Sequence, residues 1–495
     1  MASGTDLESG NPLVTVHPLS RQLQRYALFT TLVQLDSLLQ PVPYYARRWT
    51  WSADQRVLTM YLEPTLRWHD GTLTTAHDVV FTIDAARDAQ LGSPRRADVA
   101  QIAAVEAVDD TTVQLRFETP RRTLPLILAE LPIVPRHRLD TVPRTRWRAH
   151  PFSTAPLGNG PFRFASRTPG RQWRFERHAG FPASMGGPPR LEALVIAVVD
   201  EAATKFAGLV SGELDVAGVS PSMAQLVARD PTLDLMSPPV LFSTVLAFNT
   251  TRAPFDDRRI RQAISAAINR TRLIDAAVAG FGVPAVHAVP PGLPVSSPAE
   301  AGAVAPRTAL ADSLLDAAGW TRDPRTGRRQ RNGIPLHMTV LTVGSGDMAV
   351  EQLVQADLQA RGIDVELQVM ELATFLTTVR ATDKQFDVAL TGIPGDIALG
   401  HLDAMFSSAQ RGGALDYTGF HDPELDRAIA VARQAAPEDA TVAWRRVDAL
   451  LASHQPVAWL YHARGVQGRS RRLENVTMDV RGELVSVSRW SRRER

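Results

Sequence analysis

Three groups of residues in this chain have types and spacings that could do chemistry. The first is Val343-Gly344-Ser345-Gly346-Asp347. It follows a strand-like run from Leu336 to Val343 and precedes a helix-like run from Met348 to Ala360, so its amides could hold an anion at a helix start. With Ala349 it also traces Gly-x-Gly-x-x-Ala, the outline of a dinucleotide fingerprint and hence of a cofactor-dependent enzyme. Against that reading, the third small residue is Ala. The acidic candidate, Asp364, stands at the start of the following strand Val365–Val369, whereas a ribose-binding acid belongs at its end. The second group is Gly392-Ile393-Pro394-Gly395-Asp396, after the apolar run Phe386–Leu390. A loop past a strand end is where open α/β sheets place ligands, and Asp396 there could hold a cation or cap the next helix. The third group is scattered. His69 and His77 flank a turn and His401 stands alone on a helix-like segment, as surface or cap residues. Tyr417, Trp459 and Tyr461 could line a cleft, but read more simply as core. No H-E-x-x-H, G-x-S-x-G or P-loop occurs, and no metal or catalytic residue is expected.

Composition narrows the classes further. The 495 residues suit two to four domains. Cys is absent, which excludes disulfides, thiolate catalysis and Cys-based metal sites. It also leaves no Cys for lipidation. Formal net charge is +2, from 54 basic against 52 acidic residues, too even to argue for a nucleic-acid or anionic-membrane partner. Lys205 and Lys384 are the only lysines; the preference for Arg reads as coding bias. The runs Arg325–Arg331 and Arg469–Arg495 read as solvated surface. No apolar run reaches the roughly 18 residues a membrane span needs, and Met1–Pro12 is polar, without an apolar signal core.

These groups need elements to position them. Strand and helix patterns alternate throughout, which predicts an α/β fold. Leu66–Phe81 reads as a strand end, an Asp70-Gly71 turn and a capped helix start, with Thr75 as N-cap and Asp78 reaching back to its amide. Val57–Leu62 reads as a strand, Ile102–Phe117 as two short strands, and Trp173 and Phe175 alternate with arginines. Leu23–Val33 approximates a helix. Asp257 should cap a helix over 258–270, and Gly319 should end one over Ala309–Ala318. Asn332-Gly333 marks a turn feeding a strand in which Leu336, Met338, Val340 and Thr342 share a face.

The Trp68–Phe81 segment resembles the "W-x-DG-x-x-x-TA-x-DV-x-F" block of the family 5 extracytoplasmic solute-binding proteins, receptors of ABC importers for peptides, dipeptides and nickel. Six further blocks follow in the family's order. They are Gly10-Asn11-Pro12 with Val16-His17-Pro18-Leu19, Gly158-Asn159-Gly160-Pro161-Phe162, Gly212–Ala217, Phe248-Asn249 with Pro254–Ile264, Leu314-Leu315-x-x-Ala318-Gly319-Trp320, and Gly419-Phe420 with Pro423-Glu424-x-Asp426.

The resemblance implies a two-lobed periplasmic-binding-protein fold of the large type. Lobe I would combine 1–40, 158–240 and 465–495, with 41–157 as its extra domain, and lobe II would be 241–464. The chain would cross between lobes near Leu246–Asn249 and Tyr461–Gly465. The implied function is capture of a peptide or other small amine-bearing solute in an interlobe cleft, for delivery to a membrane permease. The chain would be extracytoplasmic and monomeric, with no cofactor. A cytoplasmic ligand-sensing protein of the same fold, and a dinucleotide enzyme, remain the alternatives. In peptide-binding relatives an Asp at the place of Asp396 holds the ligand's ammonium. Relatives often carry Trp where Ile393 stands, and dipeptide-binding relatives use an Arg in the Gly344–Gly346 loop that this chain lacks. Further ligand contacts are expected from Ser345, Asn249, Tyr417 and Ser20.

Overall fold

The computed structural model describes residues 1–297, 305–344 and 348–493. The chain divides into two units. One comprises Met1–Met236 with Val466–Arg495, the other Ser237–Gly465. The passages at 236/237 and 465/466 place Leu246–Asn249 within the second unit. Most of that segment is strand interior rather than a crossing, because Val245–Ala247 pair with strands on both sides and Phe248 with one.

The first unit holds a seven-stranded sheet and a four-stranded one. The larger runs, in spatial order, Leu233–Met236, Gln467–Ser470, Val216–Gly218, Ala2–Ser3, Ala193–Val198, Gln172–Arg177 and Phe162–Thr168. Ala2–Ser3 lies parallel to both neighbours. Trp173 and Phe175 are buried while Arg174 between them is exposed, the period-two pattern of a half-buried strand. The smaller sheet is antiparallel: Ala46–Trp51, Val57–Leu62, Thr112–Arg116 and Ala104–Asp109. Leu58, Met60, Val113 and Leu115 share a core with Val79 and Ile83 of the helix Ala76–Arg87.

Asp78 starts that helix as its spacing predicts and does more. One carboxylate oxygen accepts the Thr75 N–H (2.9 Å) and the Trp68 indole N–H (3.3 Å), and the other accepts the Arg136 N–H (2.8 Å). The residue is thus a buried three-way junction. The helix expected over Leu23–Val33 ends early. The segment Pro18–Leu23 passes into a wider turn over Gln24–Leu28 and is extended from Phe29. The cause is a second backbone at this point. The Gly160 N–H donates to the Leu28 carbonyl (2.9 Å) and the Thr30 N–H donates to Asn159 Oδ1 (2.8 Å). A Cβ on Gly158 would lie 1.9 Å from the Leu28 carbonyl oxygen. Since backbone rather than a flexible side chain would have to yield, Gly158→Ala is expected to cost about 3 kcal/mol, the upper end for overpacking. An unshifted thermal midpoint would sink this reading.

The second unit is built on a six-stranded sheet: Gly282–Pro284, Val457–Arg464, Pro239–Phe248, Val388–Pro394, His337–Thr342 and Asp364–Val369. His337–Thr342 is parallel to both of its neighbours, and the remaining pairings are antiparallel. Met338, Val340 and Thr342 are buried on one face, as their spacing requires. Asp257 accepts the Arg259 N–H (2.9 Å) and caps Arg258–Ala267. The single helix expected over 258–270 is two. Ile268 is extended, and Asn269 caps a second helix, Arg270–Val278, by accepting the Arg272 N–H at 3.0 Å.

One member of the Arg325–Arg331 run departs from the surface expectation. Arg329 is 2% exposed. Its guanidinium meets Asp312 at 2.7 Å and Asp316 at 2.5 Å, and donates to the carbonyls of Trp320 (2.7 Å) and Arg361 (2.9 Å). No helix among the described residues is long and apolar enough to cross a membrane.

Candidate functional site

The residues singled out from the sequence separate into three sets. Ser345 and Gly346 lie outside the described residues. Asn249, Ser20, Tyr417, Ile393 and the amide of Gly344 are committed to the fold. Asp396 remains as a carboxylate reachable by solvent.

The corrections have plain physical reasons. Asn249 is fully buried. It donates to the carbonyls of Lys384 and Phe386 (both 2.8 Å) and accepts from Thr251, so it ties two strand ends together. Ser20 is fully buried in the first turn of its helix, where its hydroxyl accepts the Glu8 N–H and meets His17 Nδ1 at 3.0 Å. Tyr417 is 4% exposed, beside Asp416, whose carboxylate accepts the amides of Gly412 and Gly419. Ile393 is 1% exposed, paired across the sheet with Ser243. Gly344 takes a positive φ of 83°, and its N–H donates to Thr342 Oγ1 at 3.0 Å, which removes it from anion binding. Asp364 opens the strand Asp364–Val369 and lies 3.2 Å from His337, so it stands at the wrong end for a ribose.

Asp396 sits two residues past the strand Val388–Pro394. Gly395 holds the turn by donating its N–H to the Leu241 carbonyl (2.7 Å). One oxygen of Asp396 accepts the Gly400 N–H at 3.0 Å, and the other accepts the His401 N–H at 2.9 Å and faces His401 Nδ1 at 3.4 Å. The helix Gly400–Phe406 therefore starts on this carboxylate, and helix N-termini favour negative charge. Burial works against ionisation. The His401 hydrogen bond and charge, with the two backbone amides, outweigh it and hold the carboxyl below its usual value. The side chain is nevertheless 47% exposed, with no Arg or Lys among the described residues paired to it. The oxygen that accepts from Gly400 keeps a lone-pair direction free.

Sequence reasoning missed the neighbours of this loop. Phe242 is 41% exposed and its ring lies against Gly392, where a Cβ would fall 2.1 Å from Cζ. Phe242 thus presents an aromatic face at the strand end where relatives were expected to use position 393. Alternation along Pro239–Phe248 could have revealed it, since Ser243 and Val245 point inward. Ser243 Oγ lies 2.8 Å from His462 Nδ1, both buried. Burial, with the charges of nearby histidines, drives the His462 imidazole down to about 4, although a bond to the His287 backbone opposes this. In the first unit His69 and His178 both donate to the Gly160 carbonyl (3.0 and 3.1 Å), and burial pulls His69 down to about 3.

His69 and His462, one in each unit, set an acid limit. Each stays neutral when folded but binds a proton near pH 6.5 when unfolded. The unfolded state therefore takes up more protons below 6.5, and stability falls with pH until the folded values are reached. Between pH 7 and pH 5 each unit is expected to lose about 2 kcal/mol. Urea titrations at the two pH values check this, and His462→Gln should flatten the second unit's loss.

Among the described residues no group of three or more His, Cys, Asp or Glu side chains is arranged to hold a metal ion. A family model of bacterial extracellular solute-binding proteins, family 5 Middle, matches residues 40–412. A probable di/tripeptide-binding protein of Pseudomonas aeruginosa is 26% identical over 493 residues, covering 92% of this chain and 87% of that protein. Two solved structures superpose along nearly the whole length. The ABC transporter substrate-binding protein CtaP of Listeria monocytogenes gives a TM-score of 0.86 at 20% identity, covering 100% of this chain and 98% of that one. NikA of Brucella suis, in complex with Fe(III)-EDTA, gives 0.85 at 20% identity, covering 99% of each. At such identities the two structures establish the fold, a periplasmic-binding-protein architecture of mixed α/β sheets.

Proposed function

The chain belongs to the family 5 bacterial extracellular solute-binding proteins, and from that premise we propose that Asp396 holds the ammonium group of a peptide or other small amine-bearing solute. Proteins of this family serve ABC importers as substrate-binding components. The protein does its work by binding: it takes up the solute outside the cytoplasm and passes it to membrane permease subunits, with no reaction of its own.

The observation that carries this reading is the Asp396 carboxylate. It is held ionised by His401 and a helix start, is open to solvent, and has no Arg or Lys partner among the described residues. A partly desolvated carboxylate gains most from a cationic donor that it can hydrogen-bond. Phe242, whose ring lies against Gly392 at the same strand end, offers a face for an apolar or cationic group of the solute. The name of the Pseudomonas relative favours a di- or tripeptide, whereas NikA carries a metal chelate on the same fold, so solute class is read from Asp396 and not from the architecture.

Native mass spectrometry of the protein as purified from its source tests the reading. A co-purified peptide or amine supports it. A solute with no amine removes Asp396 from the role.

A further inference from the structure

A cavity of about 810 Å³ lies within the second unit, on the side of the helices Arg258–Ala267 and Pro437–His454. Its lining is unusual in charge. Arg270, Arg307 and Arg445 all face it, and Asp448 is the one acid among its described lining residues. The volume falls in the range of small-molecule sites. None of the residues assigned above to solute binding lines it.

Arg270 is 4% exposed, yet none of its partners is a carboxylate. Its Nε donates to the carbonyls of Ala285 (2.8 Å) and Trp459 (2.9 Å). One Nη donates to the Ser265 carbonyl (2.9 Å) and the other to Ser265 Oγ (3.0 Å). Each Nη carries two hydrogens, so a donor remains on each. The C-terminal end of Arg258–Ala267, which includes Ser265, supplies only a partial negative charge. Burial, and then the charge of Arg307, drive the Arg270 guanidinium down to about 10.

The two rim arginines add to this imbalance. Arg445 donates to Ser297 Oγ (3.2 Å), and neither Arg307 nor Arg445 pairs with an acid among the described residues. Asp448 does not compensate. Its carboxylate already accepts the Ala288 N–H (2.8 Å), His287 stands 3.9 Å away, and burial pushes its carboxyl up. Among the described residues, the titratable groups facing Arg270 across the cavity are thus two further cations, one imidazole and one acid that already has partners. Val286, Leu314 and Trp459 supply apolar wall.

We propose that this cavity is a second binding site, for a small organic anion in which a carboxylate or phosphate meets Arg270, Arg307 and Arg445 and an apolar body lies against Trp459. Guanidinium groups suit such oxyanions because their paired N–H donors match two oxygens at once. The site stands independently of the solute reading above.

Calorimetry with phenyl phosphate as probe and phenol as its neutral counterpart tests the site on the full chain. The expected result is saturable one-to-one binding of phenyl phosphate and none of phenol. Arg307 and Arg445 are exposed, so R307Q/R445Q keeps the fold and should weaken the probe at least about tenfold. Asp396→Ala should leave its affinity unchanged. Three results would each overturn the proposal: no saturable binding up to about 10 mM, affinity indifferent to R307Q/R445Q, or affinity lost in Asp396→Ala. The last would place the probe in the solute site. Benzoate in place of phenyl phosphate distinguishes a carboxylate preference from a phosphate one.

Discussion

Arg329→Met is expected to lower the unfolding free energy of the second unit by about 3–5 kcal/mol, the scale for breaking a buried, hydrogen-bonded ion pair. The methionine keeps most of the apolar stem, so the loss is of the guanidinium. Two effects sum. The carbonyls of Trp320 and Arg361 lose their donors, and a buried unsatisfied acceptor costs about 1–3 kcal/mol. Asp312 and Asp316 also lose their shared cation. That second effect is softened because Asp312 is 32% exposed and keeps Arg361 at 2.8 Å. Arg329→Lys should recover only part, since an ammonium cannot serve two carbonyls and two carboxylates in one plane. Urea denaturation of the full chain reads the effect. A change below about 1 kcal/mol would show the cluster to be an ordinary surface network.

Asp396→Ala is expected to weaken an amine-bearing solute by about 2–5 kcal/mol, or roughly thirty-fold to several thousand-fold in Kd. The same change removes the acceptor at the start of Gly400–Phe406, which by itself costs about 1 kcal/mol of stability. The two roles are separable. Asp396→Asn keeps one oxygen for the helix amides but has no charge for an ammonium. If the carboxylate holds the solute, Asn should restore stability and leave affinity low. If Asp396 is a cap alone, calorimetry should give wild-type affinity in both variants while thermal stability falls in Ala only.

How far the sequence reached depends on the range of the interaction. Caps and turns were legible because their partners lie within a few residues. The amide of Thr75 and the carboxylate of Asp78 find each other three positions apart, and Asn332 and Gly333 both take the positive φ that their turn demands. Alternation in Val57–Leu62 and Thr112–Arg116 was legible for the same reason. The break at Ile268 was not, because Ile268 and Asn269 continue the 3.6-residue pattern well enough. What ends the helix is Arg270, drawn to the carbonyls of Ala285 and Trp459, far along the chain.

The site shows the same division. The Gly-x-Gly outline suggested free amides, but Thr342 turns its hydroxyl onto the Gly344 N–H. Asn249 stands in a family motif and was expected to touch ligand, yet strand ends over 130 residues away claim its amide nitrogen.

By itself, then, the sequence determined the family, the α/β class, the local caps and turns, and Asp396 as a loop carboxylate. These follow from short-range spacing and from motif order. Only the tertiary structure decided which polar groups are spent on the fold and which stay open. It buried Asn249, Ser20 and Arg329, left Asp396 half exposed, put Phe242 at its strand end, and gathered three arginines around one cavity. The physical reason is that hydrogen-bond saturation and burial are set by neighbours distant in sequence, whose approach no local pattern encodes.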